Sequence, residues 1–383
     1  MKHLLISTAM AAGLALPAAA ETLTVGVATA QTGALAPFDA PVMEGVMIAV
    51  DEINDAGGIG GDTKIELIQK DVRSDAAQTS IAVQELADQG VSALILPCDA
   101  DPSLAAIGIV SSAQIPAIST CASSPTLPEI GGEYMFANFP GDNVQATVSA
   151  SWAWDQGHRT GYIIYSPDTQ YTTMPLYFAD VFEELGGEML GRDTHTIGQQ
   201  DFSAIATRIA ALDPQPDVIM TSAYEPDFPS LIKALRAAGV ESQIIGSDGI
   251  DSPTTFSLGE VAEGLVFTTA GHPTEGSELE AFNEKYEARY NKPPETVFNA
   301  VGYDLIKVLE AAVEAAGSTD PQELRDALAN LENVQGATSL ITYKGTNGMP
   351  VREVSLVRVK DGKRELVAQP TPDPDLIPAP RMQ

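Results

Sequence analysis

The sequence predicts an α/β protein built from two parallel-sheet units. Three observations carry this. Short apolar strands alternate with segments of helical period, the pattern of sheets covered on both faces by helices. The alternation runs to about residue 119 and restarts near residue 143. The chain has 383 residues, long for one hydrophobic core, so two units are the default.

The elements follow in order. Thr22–Ala28 alternates and reads as a strand. Val42, Val46, Ala49, Val50 and Ile53 recur at helical spacing, and Gly57-Gly58 stops that helix. Ile65 and Leu67 mark a strand, and Asp75 caps a helix that runs to Asp88. Ala93–Leu96 is a short buried strand, Asp101-Pro102 starts a helix to about Ser112, and Ala117–Ser119 is the next strand. The second run has helices over Asn143–Trp154, Met174–Leu185, Phe202–Ala211 and Phe228–Ala238. Its strands are Tyr162–Tyr165, Glu188–Arg192, Val218–Thr221 and Ile244–Gly246. After a strand at Leu265–Thr268 come helices at Leu279–Tyr290, Tyr303–Ala316 and Pro321–Asn330. Ser339–Tyr343 reads as a strand, and Val354–Lys360 with Arg364–Ala368 flank Asp361-Gly362-Lys363 as a hairpin. Gln369–Gln383 holds five prolines and no hydrophobic period, and is expected to be a disordered or loosely attached tail.

The first 20 residues read as an export signal. Lys2 and His3 are a short basic start, Leu4 to Leu16 an apolar run, and Pro17-Ala18-Ala19-Ala20 a small-residue cleavage site before Glu21. The run is too short to span a bilayer. No Cys follows the small residues, so a lipid anchor there is not expected. The formal charge of −31 disfavours nucleic acid phosphates and anionic lipid surfaces. Export permits a disulfide, and the two cysteines, Cys98 and Cys121, read either as one bridge or as two buried thiols. No His lies near them in sequence, so metal ligation is not expected.

Enzyme signatures are absent from the sequence. There is no GxGxxG after the first strand, no GxxxxGK[ST] and no GxSxG. Gly57-Gly58-Ile59-Gly60-Gly61 follows a helix and precedes a strand, whereas a phosphate loop needs the reverse order. His158, His195 and His272 are isolated, and Glu183-Glu184 reads as a solvated helix end. No catalytic residue, cofactor or metal is assigned.

Several segments together resemble one family. They are Thr24-Val25-Gly26-Val27, Thr32-Gly33, Gly45, the run from Ala49 through Asp51-Glu52-Ile53-Asn54 to Gly61, and Asp71. Asp201-Phe202-Ser203, Leu235-Arg236-Ala237-Ala238-Gly239 and Glu263-Gly264 continue the match. This resembles the periplasmic branched-chain amino acid binding proteins, the type I solute receptors of ABC importers. The resemblance implies two Rossmann-like lobes joined by three crossings, near Phe139–Asp142, Thr268–Ala270 and Ala337–Tyr343. Lobe 1 would be 21–140 plus 269–338, and lobe 2 would be 141–268 plus 339–368. A monomer that docks on an ABC permease is the implied assembly. An exported sensor that presents its ligand to a signalling receptor is the alternative.

The resemblance also implies a site. Cys98-Asp99-Ala100 and Cys121-Ala122-Ser123 match the places that hold a ligand carboxylate. Asp99 departs from the small hydroxyl residue usual there. An acid at that point either turns away or meets a cationic group, or the ligand lacks the usual carboxylate. Asp248 in Ser247-Asp248-Gly249 matches the acid that meets the ligand ammonium. Phe38, Tyr171, Tyr224 and Phe298 match aromatic positions of the cleft. Aromatic faces with two acids suit a cation, so the expected ligand is an amino acid or related amine. The family often bridges the position of Cys98 to a loop near Ser74; since Ser74 is not Cys, pairing with Cys121 is the implied alternative.

Overall fold

The computed structural model describes residues 21–167 and 173–381. The expected signal segment and Tyr171 lie outside the described residues. The chain forms two α/β lobes, each around its own sheet. The first sheet holds β1 (Thr22–Thr29), β2 (Lys64–Asp71), β3 (Ala93–Leu96), β4 (Ala117–Ser119) and β5 (Met135–Ala137) in the order β2-β1-β3-β4-β5. All its pairings are parallel. The second begins with β6 (Thr160–Tyr165), β7 (Glu188–Thr194), β8 (Val218–Thr221), β9 (Gln243–Gly246) and β10 (Val266–Thr269). After a small ribbon of β11 (Val334–Gln335) and β12 (Leu340–Ile341), β13 (Ser355–Lys360) and β14 (Lys363–Ala368) complete it. Its order is β14-β13-β10-β9-β8-β6-β7. Read from β7 to β10, this repeats the strand order of the first sheet, and β13 and β14 add to it antiparallel.

This order places a reversal of winding between β1 and β3 in one lobe and between β6 and β8 in the other. Loops diverge at such a point and leave a crevice at the carboxyl ends of the strands. The β13–β14 turn forms as expected. Asp361 and Gly362 both have positive φ (51° and 68°), the geometry of a two-residue type I′ loop.

Helix Ala36–Asp55 lies against helix Phe298–Ala316, and together they bury one face of the first sheet. They approach at two glycines. A Cβ on Gly45 would sit 1.7 Å from Asn299 O, and one on Gly302 would sit 1.9 Å from Val42 O. No rotamer relieves a clash with backbone, so these positions admit only glycine at this spacing.

The structure corrects several sequence expectations. Helix Phe298–Ala316 starts five residues earlier than Tyr303. The segment from Asp101 to Ser112 divides into Ala100–Ala105 and Ile107–Ala113, and its cap is Asp99, whose Oδ1 accepts from Asp101 N at 3.0 Å. Helix Thr126–Gly131 and strand β5 have no counterpart in the sequence reading, because each is too short to show a period. The proline-rich tail is attached to the second lobe. Leu376 packs with its core, Asn143 Nδ2 donates to Pro378 O at 2.9 Å, and Arg381 N donates to Tyr177 Oη at 2.7 Å. A backbone carbonyl and a backbone N–H of the tail supply these bonds, which a search for hydrophobic period does not register.

The first and third crossings meet at a buried ion pair. Arg352 Nη2 lies 2.7 Å from Asp304 Oδ2, and both side chains are fully buried. The same guanidinium bonds Asn138 O and Thr338 Oγ1. Nearby, Tyr343 Oη donates to Ala137 O at 2.7 Å and Ala137 N donates to Gly348 O at 2.9 Å. Residues 343–348 thus stay with the first sheet. We therefore place the third crossing between Gly348 and Ser355, later than residues 337–343.

Distinct outcomes are expected for three single variants on thermal or urea unfolding. Gly302→Ala should lose about 1–3 kcal/mol by overpacking. Gly108→Ala, in a helix with no atom within 4 Å of the new Cβ, should be neutral or gain up to about 1 kcal/mol. Arg352→Met should lose about 3–5 kcal/mol by stranding Asp304, and Arg352→Met with Asp304→Leu should recover most of it. Equal losses for the single and double variants would show that the pair is not coupled.

Candidate ligand-binding site between the lobes

Both lobes contribute to one cavity, and all its lining residues but Phe298, which begins helix Phe298–Ala316, come from a strand's carboxyl end or the segment that follows it. From the first lobe come Leu35, Phe38, Cys98, Asp99 and Phe298; from the second come Tyr224, Asp248 and Gly249. Five residues singled out from the sequence therefore meet at one point: Phe38, Asp99, Tyr224, Asp248 and Phe298. The rings contact edge to face, Phe38 with Tyr224 at 5.9 Å and with Phe298 at 5.8 Å between centroids. The cavity they enclose is about 20 Å³, room for about one water. A second cavity of about 320 Å³ lies between the lobes and shares Phe38 and Phe298 with the first. An amino acid at the inner point needs the lobes to part or the rings to turn.

Ala100, Cys121, Ala122 and Ser123 do not line this cavity. Cys121 and Ala122 point into the first lobe's two cores. Ala100 is the buried first residue of its helix. Ser123 is buried, its O accepting from Asp142 N at 2.7 Å. Cys98 and Cys121 are joined as a disulfide, with Cα atoms 4.4 Å apart, and link the ends of the paired strands β3 and β4. Cys98 itself faces the cavity.

Two functional positions were not found in the sequence. Asp39, fully buried, ties three strand ends together. Its Oδ2 accepts from Ala30 N at 2.7 Å, and its Oδ1 accepts from Cys98 N at 2.9 Å and Thr120 Oγ1 at 3.0 Å. Burial pushes its carboxyl up to about 7 against those three bonds. Asp142 begins helix Asp142–Asp155, directly after the first crossing. The available signal was an acid in a helix's buried stripe: Asp39 stands three and seven residues before Val42 and Val46.

The electrostatics of the cavity are one-sided. Burial raises Asp99 to about 6 and Asp248 to about 7. Asp142 is held well above the usual carboxylate range by burial and then by the charge of Asp248. Tyr224 is raised by burial and by the neighbouring Asp99. No Lys or Arg is among the described residues lining the cavity. Oδ1 of Asp248 is buried without a hydrogen-bond partner. Such a group costs free energy until something meets it.

Residues 22–364 match the model of a family described as periplasmic binding protein. The chain belongs to that family. It is 27% identical over 353 residues to a Leu/Ile/Val-binding protein of Rhizobium johnstonii, covering 91% of this chain and 94% of that one. Among solved structures it resembles a leucine binding protein, LivK, of Thermotoga maritima. The TM-score is 0.83 at 29% identity, over 92% of this chain and 99% of that one. It also resembles LivJ of Streptococcus pneumoniae, a branched-chain amino acid transporter substrate binding protein in complex with isoleucine. There the TM-score is 0.81 at 26% identity, over 91% and 100% of the two chains. These relatives are solute-binding proteins, and none of the three is described as an enzyme. No helix among the described residues is long and apolar enough to cross a membrane.

The raised carboxyl of Asp248 sets a pH dependence. A carboxyl raised from 3.8 to about 7 binds its proton more tightly in the folded state. Its contribution to stability is complete below pH 4 and is lost as pH rises through 7. Ligand-free Asp248→Asn should therefore match the parent's melting temperature near pH 4 and exceed it at pH 8. A constant offset across that range would show that Asp248 is not desolvated.

Proposed function

We propose that this protein captures an amino acid or related amine in the interlobe cleft and delivers it to the membrane permease of an ABC importer. It acts as an exported, non-catalytic receptor. The reading rests first on Asp248, a buried carboxylate with an unpartnered oxygen, at the cavity both lobes close upon. An ammonium group satisfies it and removes the desolvation cost, which is the larger gain because no Lys or Arg lines the cavity among the described residues. The rings of Phe38, Tyr224 and Phe298 present apolar edges and faces to the rest of the ligand. Family membership supports the same class, since the named relatives bind leucine, isoleucine or valine. Closure is a hinge movement at the crossings, so ligand contacts made by both lobes favour the closed form.

The test is a thermal-shift and calorimetric comparison on protein stripped of bound solute by unfolding and refolding. The probes are leucine, lysine, choline and 4-methylpentanoate, the last being leucine without its amine. A ligand at one hundred times its Kd adds about 2.7 kcal/mol of stability. An amine-bearing probe is expected to stabilise the parent protein, and Asp248→Asn should weaken it by about 2–5 kcal/mol. Equal stabilisation by leucine and 4-methylpentanoate would remove Asp248 from the ammonium role.

A further inference from the structure

Asp142 and Asp248 belong to different elements and converge in the protein interior. Asp142 follows the first crossing, at the start of its helix, and Asp248 follows β9. They are 1% and 2% exposed, and each has one carboxylate oxygen, Oδ1, with no hydrogen-bond partner. Asp248 borders the inner cavity. Among the described residues no ion pair reaches either acid. Around Asp142 stand Thr173, which donates to its Oδ2 at 3.4 Å, together with Ser123, Tyr177 and Asp248. Around Asp248 stand Gln145, whose side chain hydrogen-bonds its carboxylate, and Asp251. Gln145 is held in place by Pro140 O, which accepts from its Nε2, and by Thr268 Oγ1, which donates to its Oε1. Asp251 is already matched by Arg364 at 2.5 Å. Asp99 faces the same cavity, with Asp39 behind it.

Two neighbouring buried carboxylates without a cation do not both ionise; they share a proton. We propose that Asp142 and Asp248 form a two-carboxylate head site that holds one proton when the cleft is empty and exchanges it for the cationic head of the ligand. The inference rests on the amine reading of the site given above and adds to it a partner for Asp248 and a stoichiometry. The exchange balances: the protonated pair plus a cation gives the ionised pair with the cation, and the proton passes to water. No covalent bond other than O–H breaks. Asp142 is a positioning and charge-setting residue, since Asp248 and not Asp142 borders the cavity.

A cation of fixed charge is the suitable probe, because its own titration cannot enter. Choline is therefore used beside leucine and lysine, whose amines stay charged over the range studied. Binding is measured by calorimetry on the full exported chain from pH 5 to pH 8, in two buffers of different ionisation enthalpy. For each probe that binds, affinity is expected to rise with pH by up to tenfold per unit below neutrality. Up to one proton should be released per ligand near pH 6. Asp142→Asn should move the inflection to lower pH and cut proton release at pH 7 by half or more, because Asp248 loses its like-charged neighbour. The measurement on the parent protein stands even where that variant folds poorly. Binding of an amine with no proton release and a flat pH profile would overturn the exchange while leaving the amine reading intact, as would an Asp142→Asn profile identical to the parent's. Failure of every amine to bind at any pH would overturn both.

Discussion

The two lobes share one chain that passes between them three times, and the fold depends on those passages being held in register. Arg352 does this with a charge buried where water cannot reach it. A guanidinium taken out of water is tolerated only when its donors are met and its charge is balanced. Asp304 supplies the balance from the first lobe's longest late helix, and Asn138 and Thr338 supply acceptors from the segments on either side. Each partner comes from a different stretch of the chain, so the pair exists only when all are in place. It specifies the hinge's assembly even though its net stabilisation is modest. The hydrogen bond from Tyr343 to Ala137 repeats the device with an uncharged group.

Given that hinge, the site follows from strand order. Both sheets wind outward from the same kind of reversal, so both leave a crevice at the carboxyl ends of their strands. The hinge turns these ends toward each other, and the loops after β3, β8 and β9 deliver Asp99, Tyr224 and Asp248 to one cavity. Asp39 and the Cys98–Cys121 bridge act beneath it on the first lobe. One gathers the ends of β1, β3 and β4 by hydrogen bonds, and the other joins β3 to β4 covalently. A floor held this firmly presents its groups at fixed positions as the second lobe closes.

Much of this was legible in the sequence because periodicity survives burial. The alternation of strand and helix set the fold class, and Asp361-Gly362 announced its turn by the residues that tolerate positive φ. Phe38, Asp99, Tyr224, Asp248 and Phe298 were reached through family resemblance, since nothing local in Ser247-Asp248-Gly249 distinguishes a ligand-facing acid from a turn residue. The remainder was hidden for identifiable reasons. Asp99 lies next to an Asp-Pro pair that imitates a helix start, so the cap was placed two residues late. Helix Thr126–Gly131 and β5 are shorter than any period. Tail residues 369–381 hold on through backbone and side-chain polar groups and one leucine, which composition does not reveal. Asp39 and Asp304 went unread, although acids on apolar helical stripes are a pattern that signals a buried partner before the partner is known.

The acids of the cleft make sense only as part of a cycle. A protein selected for stability alone would replace buried Asp142 and Asp248 by amides or apolar groups, because an unpartnered buried carboxylate lowers the stability of the empty state. Their cost is greatest when the cleft is empty at neutral pH and, under the proposed amine reading, is relieved when a cation arrives. That difference is differential affinity, the only means by which a ligand can shift an equilibrium between open and closed lobes. Aromatic packing works in the opposite sense. Phe38, Tyr224 and Phe298 touch one another in the near-filled cavity, and their contacts stabilise closure without ligand. Under the proposed reading the acids then act as the opposing weight: they penalise empty closure through desolvation, and they reward closure around a cation.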